Sequence, residues 1–304
     1  MHPVDVVKTR LQFKGEAALS SVAALRTPAA AAASAVGRPR GVVGQLVSIA
    51  RYEGARGLYR GLAAACLLQV SVTGTRFATY GMGKQLLADS SDGGGSDASR
   101  PSASSSYLRN TALGLVAGVC GAICGCPFFA LKTSMQAQSD VAALQAGFQH
   151  GYTSLRSAFV SIYRESGGLR GYFRGVDAFV LRVGMWSAGQ LSTYDAFKHS
   201  LLSAGFADST PTHLIASAAT SVVACMLMTP FDFVAARMMN QPSNPDGRPM
   251  FYKSLPDCFA KSVRNEGILS LYKGGLANAL RMGPYNILIF VFYEQLKMLK
   301  ASFS

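Results

Sequence analysis

Arg182 and Arg281 are the residues of this chain best placed to do chemistry. Each stands alone in an apolar run, Val180-Leu181-Arg182-Val183 and Leu280-Arg281-Met282. A charged side chain inside an apolar span is expensive, so it is a functional-site candidate by default. The planar guanidinium fork suits bidentate binding of a carboxylate or a sulfate. The competing reading for each is a structural ion pair, or a long stem that carries its charge to the interface. No acid lies close in sequence to either arginine in the span centres. A cavity lined by such arginines is expected to be net positive, and its ligand a small anion, by preference a dianion.

The elements that must position these arginines are written three times. Pro3-Val4-Asp5-Val6-Val7-Lys8, Pro127-Phe128-Phe129-Ala130-Leu131-Lys132 and Pro230-Phe231-Asp232-Phe233-Val234-Ala235 are versions of Pro-x-acid-x-x-base. A second block follows each, ending in Tyr59-Arg60-Gly61, Phe173-Arg174-Gly175 and Tyr272-Lys273-Gly274. Beyond each of these glycines, at one fixed offset, come Tyr80, Tyr194 and Tyr293. Equal offsets in three places mean triplication, and an internal repeat decides the fold before any local reading does.

Composition narrows the class. Hydrophobic residues make up 49% and charged residues 15% of the 304 positions, yet the net charge is +13. Apolar segments joined by basic loops describe an integral membrane protein. Lysine and arginine are spread along the chain with no aromatic-interleaved basic run, which argues against nucleic-acid binding. Three of the six cysteines, Cys120, Cys124 and Cys126, cluster, but their spacing matches no zinc pattern and no histidine is near. They read as packing residues, with no metal and no cofactor. Gly-x-Ser-x-Gly, His-Glu-x-x-His and a phosphate loop are all absent, so the chain reads as no enzyme.

Along the chain each repeat reads as helix, loop, short amphipathic helix, helix. The predicted helices cover 1–14, 42–52, 61–88, 107–138, 153–165, 175–203, 211–240, 254–265 and 274–300. The repeats fall at 1–88, 107–203 and 211–300, with a loop at 15–40 and a flexible linker at 89–106. Gly114, Gly118, Gly121 and Gly125 share one face of their helix, where a neighbouring backbone could approach closely. Only two residues precede Pro3, against about twenty apolar ones before Pro127 and Pro230, a length near that of a span. The expectation is that the first helix is truncated at its N-terminus. The resulting fold class is an all-α membrane protein: three pseudo-symmetric repeats of two transmembrane helices plus a short helix, six long helices closing a barrel. Internal symmetry at membrane depth is typical of transporters that bind near the midplane.

These motifs, three in correct order over essentially the whole chain, resemble the mitochondrial carrier family. The resemblance implies a monomeric, multi-pass transporter of the mitochondrial inner membrane, in a bilayer that includes cardiolipin, working by alternating access and without a cofactor. It implies a matrix gate in which Asp5 pairs with Lys132 and Asp232 with Lys8, braced by Gln12 and Gln136. Phe129 and Ala235 replace the acid and the base of the third pair, so both losses fall on one pair and no charge is orphaned. It implies a cytoplasmic gate made of Lys84, Asp195, Lys198, Glu294 and Lys297. Seven residues after each block glycine it places a cavity position, here Leu68 (with Gln69), Arg182 (with Val183) and Arg281. Arg76 lies two helical turns beyond on about the same face. Thr73, Trp186, Ser187, Gln190 and Tyr285 are expected as neutral lining. The Phe129 motif, Gly74-Thr75-Arg76-Phe77-Ala78-Thr79-Tyr80 and Asn240-Gln241-Pro242 resemble the branch that carries oxaloacetate, malonate and sulfate-type anions. A carrier of amino acids or nucleotides, and a non-transporting member, are the alternatives.

Overall fold

The computed structural model describes residues 2–13, 41–92, 103–141, 144–152, 154–165, 168–206, 210–244 and 248–282, with 288, 295–296 and 298–299. In order come α1 (His2–Gln12), α2 (Gly41–Tyr52), α3 (Gly54–Leu58), α4 (Leu62–Asp92), α5 (Ala103–Ala137), α6 (Leu155–Glu165), α7 (Val176–Ser203), α8 (Thr210–Asn240) and α9 (Leu255–Glu266). Short 3-10 turns at Leu169–Phe173 and Ile268–Tyr272 lead into α7 and into a helix over 275–282. The described residues form no strand, only a single bridge between Ser243 and Pro249. The fold is all-α, as expected. Two boundaries are corrected. The linker expected over 89–106 is shorter, because α4 runs to Asp92 and α5 starts at Ala103. Adding a residue to an existing helix is cheap compared with nucleating one, so residues 89–92 and 103–106, mostly serine and aspartate, continue the helical run. The loop over 15–40 and most of the predicted last helix lie outside the described residues.

Two helical segments, Thr111–Ala137 and Ile215–Asn240, are apolar enough by length and composition to cross a membrane. The long helices α4 and α7 carry Gln69, Thr73 and Arg76, and Arg182, Ser187 and Gln190, which dilute their hydropathy. Their other faces are apolar: Leu67, Val70 and Phe77 on α4, like Val116, Val119 and Ile123 on α5 and Val222 and Met226 on α8, are exposed. Large apolar side chains left bare on several helices suit a lipid environment rather than water.

The three block glycines show how the repeats close on one another. Each has a positive φ, 78° at Gly61, 75° at Gly175 and 85° at Gly274. That conformation is cheap only for glycine. A β-carbon on Gly61 would lie 3.3 Å from Met135 and Gln136 of repeat two. One on Gly175 would lie 3.1 Å from Met238 of repeat three, and one on Gly274 would lie 3.1 Å from Gln12 and the Lys8 carbonyl of repeat one. Repeat one thus docks on two, two on three, and three back on one. The stripe on α5 works only in part. Gly121 and Gly125 admit Val72 of α4, its carbonyl 2.9 Å from where a Gly121 β-carbon would sit, whereas Gly114 faces open space.

Two buried braces tie α1 to Glu53, between α2 and α3, and α8 to Glu266 at the end of α9; neither is among the contacts expected from the sequence. Arg10 donates to both oxygens of Glu53, at 2.7 and 2.8 Å, and to the carbonyls of Gln136 and Gln138. Arg237 does the same to Glu266, at 2.6 and 3.1 Å, and reaches the Gln12 carbonyl. The signal lay in the repeat register: both arginines stand two residues past the motif's base position, and both glutamates immediately precede a glycine. Repeat two has Ser134 and Gly167 there, so it lacks both partners at once. His150 packs in that region, stacked on Tyr152 with 5.0 Å between ring centroids. Its Nε2 lies 3.1 Å from the Asn240 carbonyl and its Nδ1 3.8 Å from Glu165.

Candidate functional site

The long helices enclose a cavity of ≈ 430 Å³. Two short helical registers fill it with charge. On α1 and α8 the proline motifs turn Asp5, Lys8 and Asp232 toward one another, and Lys132 comes in from α5. Seven residues after Gly61, Gly175 and Gly274, two turns into the following helices, stand Leu68, Arg182 and Arg281.

Lys8 Nζ lies 2.8 Å from Asp232 Oδ2, and Lys132 Nζ 3.1 Å from Asp5 Oδ2. Each carboxylate uses its other oxygen on an arginine. Arg182 Nε reaches Asp232 Oδ1 at 2.5 Å, and Arg281 Nε lies 3.1 Å from Asp5 Oδ1. The expectation that the arginines are unaccompanied is therefore corrected. The partners are distant in sequence and come from the neighbouring repeats. Gln12 donates to Asp232 at 2.6 Å. Gln136 instead accepts from Thr9 at 2.8 Å, and its Nε2 has no partner.

The result is a threefold arrangement of triads. Asp232, Lys8 and Arg182 come from repeats three, one and two, and Asp5, Lys132 and Arg281 come from repeats one, two and three. The third set follows the same rotation: Phe129, Ala235 and Leu68, from repeats two, three and one, all share one buried apolar cluster. The three positions that are charged in the other sets are apolar together in this one, so within this set no charge is left without a partner. The cost of an unpaired buried charge gives the physical reason.

Each ionic triad holds two cations against one carboxylate. With Arg76, five bases and two acids line the cavity, so three positive charges are in excess. Arg182 has no partner among the described residues for its two terminal nitrogens, and Arg281 spends one, at 3.1 Å, on Asn278. Leu68, Gln69, Val183, Trp186 and Ser187 line the same space. Thr73 and Gln190 do not border it, and Tyr285 lies outside the described residues. At the other end Lys84 is exposed and Lys198 is half-buried, while Glu294, Lys297 and the side chain of Asp195 lie outside the described residues. Among the described residues no group of histidine, cysteine or carboxylate side chains is arranged to hold a metal ion.

A cavity built by three rotated copies of one motif is matched by sequence relatives along the whole chain. Residues 1–91, 103–205 and 207–303 each match the family described as mitochondrial carrier protein. The chain belongs to the mitochondrial carrier family. The family consists of transporters, not enzymes, and its members are multi-pass proteins of the mitochondrial inner membrane. A probable mitochondrial 2-oxoglutarate/malate carrier protein of Dictyostelium discoideum is 33% identical over 98% of this chain and 84% of its own length. The mitochondrial citrate transporter E of Aspergillus niger is 35% identical, over 97% of this chain and 86% of its own. The mitochondrial oxaloacetate transport protein of Schizosaccharomyces pombe is 34% identical, over 99% and 86%.

Proposed function

We propose that this carrier moves small dicarboxylates, oxoacids or sulfate-type anions, oxaloacetate-like in size and charge, by alternating access. The observation that carries the reading is the sharing of each carboxylate between a lysine and an arginine. Each triad has one positive charge in excess, and two triads call for two negative charges. A dianion that takes Arg182 and Arg281 competes directly with Asp232 and Asp5. Its binding loosens the same two carboxylates that hold α1, α5 and α8 together through Lys8 and Lys132. Ligand binding can move such an equilibrium only by its differential affinity for the two states, and this competition supplies one. In this reading Asp5, Lys8, Lys132 and Asp232, with Gln12 beside Asp232, form the matrix gate, and Lys84, Asp195, Lys198, Glu294 and Lys297 the cytoplasmic one. The relatives' names, 2-oxoglutarate/malate, citrate and oxaloacetate, are all of small carboxylate anions, citrate with three carboxylates and the others with two.

The test is uptake of labelled oxaloacetate, malonate and sulfate into liposomes carrying the purified protein. Arg182→Ala and Arg281→Ala should each abolish saturable uptake. Uptake that survives both changes, or a preference for cationic or zwitterionic solutes, contradicts the reading.

A further inference from the structure

Phe129 stands where the other two proline motifs carry an acid, yet it does more than fill the gap. Its ring stacks on Phe179 with centroids 4.5 Å apart. The guanidinium carbon of Arg182 lies 5.3 Å from the centroid of each ring. Phe179 sits one turn before Arg182 on α7, on the same helical face. Phe129 comes from α5, in another sector of the threefold ring. Both rings are almost fully buried and both line the cavity. A cation within about 6 Å of a ring centroid is attracted by the ring's quadrupole, more strongly where water is excluded. A ring attracts the guanidinium without occupying its hydrogen-bond donors, which a carboxylate at the same place would take.

We propose that Phe129, with Phe179, is a positioning residue for anion binding: the two rings hold the Arg182 guanidinium beside Asp232 and leave its terminal nitrogens for the transported anion. This rests on the reading of Arg182 as an anion-binding residue. It gives the missing carboxylate of repeat two a consequence beyond gate strength. An acid at 129 would place a second carboxylate beside Arg182 and compete with the ligand. The aromatic replacement makes Arg182 the better acceptor of a small anion.

The experiment measures KM and Vmax of labelled malonate uptake in liposomes for Phe129→Leu, Phe129→Met and Phe129→Tyr, with melting curves to check the fold. Leucine and methionine keep an apolar side chain in the space but remove the quadrupole. They should raise KM by about 3- to 30-fold, the range expected from a partly desolvated cation–π contact, with Vmax held within about twofold. Tyrosine keeps the ring and should hold KM near the starting value. Equal KM values in all variants overturn the proposal, as do equal rises in the leucine and tyrosine variants, or a fall in Vmax with KM unchanged. If the leucine variant does not fold, the methionine and tyrosine pair makes the same comparison. Arg182→Ala, measured in parallel, separates the two claims. Saturable uptake that persists without Arg182 removes the underlying reading. Loss of uptake in Arg182→Ala with normal KM in Phe129→Leu removes this inference alone.

Discussion

Arg182 and Asp232 meet at 2.5 Å, and this contact joins two charged side chains that line the same cavity. Arg182 stands in repeat two and Asp232 in repeat three, and the same carboxylate also holds Lys8 of repeat one. One buried side chain thus links all three repeats. Any anion that draws Arg182 away acts on that link.

The apolar third sector should make the closed ring easier to open. Phe129→Asp combined with Ala235→Lys would add the missing pair. An added stabilisation of the closed state by about 1.4 kcal/mol would slow exchange of labelled malonate about tenfold and raise the melting temperature. The single change Phe129→Asp should be worse for binding, because its carboxylate would face Arg182. Unchanged exchange rates in the double variant would contradict the account.

The Arg10–Glu53 brace should behave as a buried pair. Arg10→Leu leaves Glu53 without its main partner and should cost about 3–5 kcal/mol. Replacing both residues by leucine should cost less than the single change, since no charge is then stranded. Ser139, which also bonds Glu53, cannot supply a compensating charge. Thermal melts of the purified single and double variants in lipid or detergent give the comparison. A double variant less stable than Arg10→Leu would refute the brace.

His150 makes repeat two sensitive to acid. Burial lowers its pKa below the ordinary 6.5, although the Asn240 carbonyl and Glu165 work in the opposite direction and Arg174 adds to the lowering. The folded state therefore holds less proton than the unfolded state as pH falls below about 6.5, so stability declines over that window. Above it the ring is neutral in both states and contributes no pH dependence. Melting temperatures between pH 7.5 and 5.5 should fall less steeply for His150→Phe. Parallel slopes would show that another group governs the acid limb.

Much of the site was legible because triplication turns spacing into geometry. The offset of seven from Gly61, Gly175 and Gly274 puts Leu68, Arg182 and Arg281 at equivalent positions of the repeats, and the resemblance to the carrier family implies both lysine–aspartate pairs of the proline motifs. What sequence did not show was the second partner of each aspartate. Arg182 and Asp232 are 50 residues apart on different helices, and no local pattern ties them together. The braces were legible in principle, since Arg10 and Arg237 occupy equivalent positions, but they appear only when repeats are compared at positions outside the main motifs. The structure carries α4 on to Asp92 and starts α5 at Ala103, because weak helix formers such as serine and aspartate extend a helix that stronger residues nucleate. Hydropathy alone finds α5 and α8, since α4 and α7 carry polar residues such as Gln69, Arg76, Arg182 and Ser187 in mid-helix.

The dissociation constant of malonate for Asp232→Asn is the most direct test. If the anion and Asp232 compete for Arg182, removing the carboxylate's charge frees a charge-assisted bond worth about 1.5–3 kcal/mol. Malonate should then bind about tenfold tighter or more than to the unaltered protein. Affinity that is unchanged or weaker would mean that Asp232 and the transported anion do not contend for the same guanidinium.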